Sequence, residues 1–189
     1  MMTRAPRLAW CQTVQVPERA RVAWPRFELV MLTGGSLPPR LAAAYPALTV
    51  PRGGIGACKP RAELALIRAP DGQELICFGD LTYQVMCLNP ADGQVVDMVI
   101  DPRGRTVRPP LMVNSGLSQF VATVREATAR FPFHGDDPEI DLDAVADNLR
   151  AQLEPIDPPA WYPDGYWDTF YWDVTLGDYS PAVFETPDH

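Results

Sequence analysis

Few residues in this chain could carry covalent chemistry. Among its 189 residues there are two histidines, His134 and the terminal His189. His134 has no serine or cysteine nucleophile beside it. It falls at the exit of an amphipathic stretch, where an imidazolium suits the negative end of a helix. Ser-His-Asp or Cys-His catalysis therefore has little to stand on. The four cysteines, Cys11, Cys58, Cys77 and Cys87, lie singly, with no C-x-x-C pair and no neighbouring histidine. That spacing argues against zinc, and Cys77 and Cys87 sit inside apolar runs where a thiol acts as a small hydrophobe.

Carboxylates are the abundant reactive groups, and they are unevenly placed. Up to His134 the chain carries 15 Lys and Arg against 10 Asp and Glu. From Gly135 onward there are 14 acids against Arg150 alone, so the overall −8 conceals a last third at −13. The run Asp136, Asp137, Glu139, Asp141, Asp143 invites a cation. An EF-hand loop, however, needs glycine at its sixth position, where a run beginning at Asp136 has Asp141. A carboxylate-based, metal-dependent hydrolase stays open, because carboxylate separation is a three-dimensional quantity. The loop GGIGACK (53–59) matches the spacing of neither a P-loop nor a dinucleotide fingerprint. No metal or cofactor is expected.

A different pattern dominates the last third. Trp161, Tyr162, Tyr166, Trp167, Phe170, Tyr171, Trp172 and Tyr179 interleave with Asp164, Asp168, Asp173 and Asp178. Aromatic rings rimmed by one sign of charge compose a protein-binding surface, the rings supplying anchor area and the charge steering a partner of opposite sign. The same spacing assigns Trp167, Phe170 and Tyr171 to the buried face of a helix. The residues expected to meet a partner are Asp136, Asp137, Asp141, Asp143 and Asp147, with Tyr166, Trp172 and Asp173.

The elements that would position these residues are legible between Phe78 and Phe131. Ala62–Arg68, Glu74–Phe78, Tyr83–Leu88, Gln94–Ile100 and Leu111–Val113 read as strands separated by Pro-Asp-Gly, Gly-Asp, Asn-Pro-Ala-Asp-Gly and Asp-Pro-Arg-Gly turns. Tyr83–Leu88 is apolar on both parities and should be covered on both faces. Leu117, Phe120, Val121, Val124 and Phe131 then recur on one helical face, with Asn114 or Ser115 as N-cap. A second helix is expected over Leu142–Leu153 with Asp141 as cap, and a third from about Pro163 to Leu176, ending at Gly177. Upstream, Pro38-Pro39 opens a short helix over RLAAAY, Thr49–Pro60 reads as loop, and Pro155, Pro158 and Pro159 impose an extended link.

These elements predict an α+β fold: a mostly antiparallel meander of about four to six strands flanked by helices. Length favours one domain over residues 26–180, between a partly ordered arm (1–25), pinned by Trp10 and Trp24, and a C-terminal tail (181–189). No apolar run spans a membrane and the N-terminus lacks a secretory h-region, so a cytoplasmic location is expected. The acidity disfavours direct binding to nucleic acid or membrane surfaces.

Several segments resemble one known family. FGDLTYQVMCLNPADGQVV, MVNSGLSQFVATV, the run Ile156-Asp157-Pro158-Pro159-Ala160, the Tyr166-Trp167 helix closing at Gly177 and the upstream LTGGSLPPRL are similar, in that order, to the fourth group of the SUKH superfamily of immunity proteins. The likeness extends over about Met31 to Tyr179. It implies an α+β fold and a non-catalytic antidote that binds a cognate bacterial toxin domain, often a nuclease or nucleic-acid deaminase; separately, a monomer is the expected state. Such toxins need basic surfaces, which an inhibitor with an acidic last third can occupy. A regulatory or scaffold module on the same fold is the alternative.

Overall fold

The computed structural model describes residues 24–101, 107–135 and 139–180. The arm and tail expected at the termini, with Trp10 and Cys11, lie outside them apart from the last residues of the arm. Among those, Trp24 packs edge-on against Phe131 with ring centroids 4.9 Å apart.

Two antiparallel sheets carry the fold. Strands β1 (Glu28–Thr33) and β2 (Ala47–Arg52) form a hairpin enclosing the short helix α1 (Pro39–Ala44). A five-stranded meander follows: β3 (Lys59–Arg68), β4 (Glu74–Asp80), β5 (Gln84–Leu88), β6 (Val95–Val99) and β7 (Leu111–Asn114), in that spatial order. The α+β reading is correct. The loop expected over Thr49–Pro60 is not: its first residues belong to β2 and its last to β3. In β2, Leu48 and Val50 are buried while Thr49 is exposed, a period-two pattern. Pro51 hides this in the sequence, and is tolerated because a two-stranded ribbon leaves each strand an open edge.

Alternation in the large sheet sorts its residues to two faces. Ile76, Phe78, Met86, Leu88, Val95 and Val113 face the main core, while Leu75, Cys77, Val85, Cys87, Val96 and Met98 form a smaller cluster. Hence β4 and β5 are apolar on both parities. Cys77 and Cys87 are direct cross-strand neighbours, fully buried, and behave as the small hydrophobes expected. On this pleat Asp97 shares the parity of Val95, so a carboxylate points to the face the helices cover.

Helices α2 (Leu117–Ala129), α3 (Leu142–Leu153) and α4 (Tyr166–Thr175) complete the structure. Phe120, Thr123, Val124 and Ala127 form the buried stripe of α2. Asp141 caps α3 as expected, accepting the Ala144 N–H at 3.0 Å. The cap expected for α2 is a correction: its N-cap is Gly116 with no side-chain bond, and Asn114 and Ser115 are engaged elsewhere. The proline link is also not extended. Glu154–Ile156 and Pro158–Ala160 are single 3-10 turns, with prolines in first-turn positions that need no N–H donor.

The glycine-rich loop between β2 and β3 has a structural use. A side chain at Gly56 would meet the Trp167 ring at 2.8 Å, and its φ of +72° disfavours any other residue. The Ile55 N–H donates to Thr128 Oγ1 at 2.9 Å. Backbone packs where side chains cannot, and its donor is taken up by the fold.

Candidate protein-docking site

The inner face of α4 ends in a closed polar hub. Trp167, fully buried, stacks on Trp161 and donates its indole N–H to Asn114 Oδ1 at 3.1 Å. Asn114 Nδ2 donates to Asp157 Oδ2 at 2.8 Å. The Ser115 N–H and hydroxyl reach the same carboxylate, each at 2.7 Å. Each of these hydrogen-bonding groups has its partner, while the buried indole N–H of the stacked Trp161 has none among the described residues. The Asn-Ser pair thus ties the end of β7 to the proline turns instead of starting a helix.

The outer flank of α4 is different. Between it and the β5–β6 end of the sheet lies a cleft of about 540 Å³, lined by Asp97, Arg108, Asp164, Tyr166, Thr169 and Asp173 and, from the sheet side, Tyr83. Asp97 is 3% exposed and pairs with Arg108 at 3.0 Å. Burial pushes its carboxyl above the usual range, opposed by the guanidinium. Arg108 Nε is buried beside this pair without a hydrogen-bond partner. Asp173 makes no ion pair among the described residues, and burial followed by the charge of Asp178 raises its pKa. Burial, with Asp173 and Asp178, likewise raises the Tyr179 phenol.

The structure divides the sequence-predicted residues between two places. Tyr166 and Asp173 line the cleft, and Trp172, 57% exposed, stands on the neighbouring stripe of α4. Tyr166 is less free than expected: its hydroxyl donates to the Gly56 carbonyl at 2.9 Å, so only its ring faces the cleft. Asp141, Asp143 and Asp147 lie exposed along α3, where Asp147 accepts the Tyr171 hydroxyl at 2.9 Å. Asp136 and Asp137 lie outside the described residues. Trp167 and Phe170 are buried as assigned, and Tyr171 is half-buried against α3. Arg150 is committed internally, paired with Glu154 at 2.9 Å and lying over the Trp161 ring.

Asp97, Arg108, Asp164 and Tyr83 were missed as site residues. A signal existed for Asp97, a lone acid at an inward parity of the apolar run VVDMV. Asp164 stood in the ring-and-acid pattern of the last third without being singled out, and nothing marked Arg108 or Tyr83, which meet it only in the folded chain. Among the described residues no group of three or more metal-ligating side chains occurs, and no helix is long and apolar enough to cross a membrane.

Fold and site together define a class: an α+β scaffold whose last helix presents an acidic cleft with exposed apolar neighbours. The particular family follows from comparison with known proteins. The SUKH-4 immunity protein family model matches residues 14–173, and the chain belongs to that family. No curated protein and no solved structure matches the chain significantly.

Proposed function

We propose that this protein neutralises a cognate toxin domain by binding it, without chemistry of its own, and that the toxin is a basic domain acting on nucleic acid. Family membership supports an immunity role. The observation that carries the finer reading is the uncompensated charge of the last third. Arg150, the single base after Gly135, is held by Glu154, and among the described residues Asp141, Asp143, Asp147, Asp164, Asp168, Asp173 and Asp178 make no ion pair. Exposed acids of this kind accelerate encounter with a basic partner and occupy the surface it would offer to phosphates.

The test is co-expression with the toxin domain encoded by the adjacent open reading frame, scored by growth rescue and co-purification. Neutralising Asp136, Asp137, Asp141 and Asp143 together (Asp→Asn) is expected to slow association about tenfold at low salt and to flatten its salt dependence. Unchanged kinetics would sink the role given to these acids.

A further inference from the structure

The cleft beside α4 is built in a way that folding alone does not call for. Its volume of about 540 Å³ falls within the roughly 300–1,000 Å³ typical of binding pockets. Among the described residues three carboxylates, Asp97, Asp164 and Asp173, line it against one cation, Arg108, which already pairs with Asp97. Asp173 and Asp164 have no counter-ion among the described residues, and the charge influencing Asp173 is the like charge of Asp178. An anion is excluded by the two unmatched carboxylates. A neutral apolar group would take water from them and return nothing. A divalent metal would lack ligands, since no group of three metal-ligating side chains occurs among the described residues.

The rim identifies the kind of molecule that brings the missing charge. Leu176, one residue past the end of α4, is 76% exposed, whereas Trp172, 57% exposed, packs edge-on against Tyr171, whose hydroxyl reaches Asp147 of α3. Tyr83, on the sheet side of the cleft, is 72% exposed. Two large side chains left in water beside an acidic cleft, Tyr83 and Leu176, match the composition of a protein-binding hot spot, in which rim contacts shield a central charged pair.

We infer that this cleft is a socket for one arginine or lysine side chain presented by the partner protein, with Asp173 as its counter-ion and the exposed Tyr83 and Leu176 as the apolar surface beside it. The inference rests on the immunity reading for the identity of that partner and on the cleft for its chemistry. The raised pKa of Asp173 is consistent with it: the site keeps an acid where the free protein disfavours its charge.

The socket can be tested without the toxin. Nα-acetyl-arginine amide, titrated into the full-length protein and followed by backbone amide NMR, should shift resonances of residues 81–84 and 164–179. The neutral isostere Nα-acetyl-citrulline amide should not, and Asp173→Asn should abolish the arginine response while Asp173→Glu keeps part of it. Equal responses to the two probes, shifts confined to other surfaces, or an unchanged response in Asp173→Asn would overturn the socket. Asp173→Asn removes a like-charge contact and is expected to fold at least as well as wild type, which its thermal midpoint checks. With the co-expressed toxin domain, Asp173→Asn should weaken binding at least about tenfold, as loss of a desolvated charge pair does, and undiminished binding would overturn the inference. Failure of wild type itself to bind would overturn the immunity reading, while the titration still decides the socket.

Discussion

The two flanks of α4 treat polar groups in opposite ways. On the inner flank Trp167, Asn114, Ser115 and Asp157 form a circuit in which each of the hydrogen-bonding groups named has a partner. On the outer flank, among the described residues, Asp173 has no cation. Folding is a small difference between large terms, and a buried unpaired polar group costs about 1–3 kcal/mol. The contrast sets a network that ties the end of β7 to the proline turns apart from a half-buried carboxylate that a cation from a second molecule would pair. It also separates two kinds of acid: Asp141 and Asp147 have hydrogen bonds within the fold and face water, whereas Asp173 is half-buried beside another acid.

The largest effects should come from breaking the inner flank. Asp157→Ala leaves the Asn114 amide, the Ser115 N–H and the Ser115 hydroxyl without their acceptor, and should cost about 3–5 kcal/mol, read as a lower urea midpoint. Gly56→Ala comes next. It touches both flanks, since its added carbon meets the Trp167 ring and its carbonyl receives the Tyr166 hydroxyl. Overlap and an unfavourable φ together should remove about 2–3 kcal/mol of stability.

Variants of the outer flank should reverse this pattern. Trp172→Ala is expected to change unfolding free energy by less than about 0.5 kcal/mol, yet to weaken toxin binding by about 1–2 kcal/mol by calorimetry. A stability loss as large as that of Asp157→Ala would make Trp172 a packing residue and erase the distinction. The smallest effect is a pH dependence. Asp173 has a folded pKa above its ordinary 3.8, so it binds its proton more tightly in the native state. Its contribution to stability is full below that ordinary value and is lost as pH rises through the elevated folded value. Asp173→Asn should match wild type in acid and gain a small advantage towards neutrality, under about 1 kcal/mol because solvent screens the site. Thermal midpoints of the pair across pH 3–7 would show it.

How much of this could be read in advance depended on whether the signal was local. Asp141 could be recognised as a cap because a capping residue and the N–H it satisfies lie three positions apart, and the apolar stripes of α2 and α3 follow from helical period alone. Asn114 and Ser115 present the same local signal, yet α2 starts at Gly116 because Asp157, more than forty residues on, competes for both side chains. Strand β2 was obscured by Pro51 and the glycines after it, although pairing with β1 overrides both. The cleft was the least legible feature. Its walls come from β5, β6 and α4, and no period in the sequence relates Tyr83 and Asp97 to Asp173. Composition did pick out Tyr166, Trp172 and Asp173, because the last third carries a density of rings and acids that a core alone does not require. It could not separate the ring that closes the core at Trp167 from the one left in water at Trp172, since the two differ only in the face of α4 they occupy.

The central claim is that the partner completes the unfinished flank of α4. Hydrogen–deuterium exchange of this protein, alone and saturated with a toxin domain that co-purifies with it, tests that most directly. Protection is predicted over residues 164–179 and 81–84, with the inner hub unchanged. Protection confined to another apolar surface, such as the β1–β2 hairpin where Leu29 and Met31 are exposed, with exchange around the cleft unaltered, would contradict it.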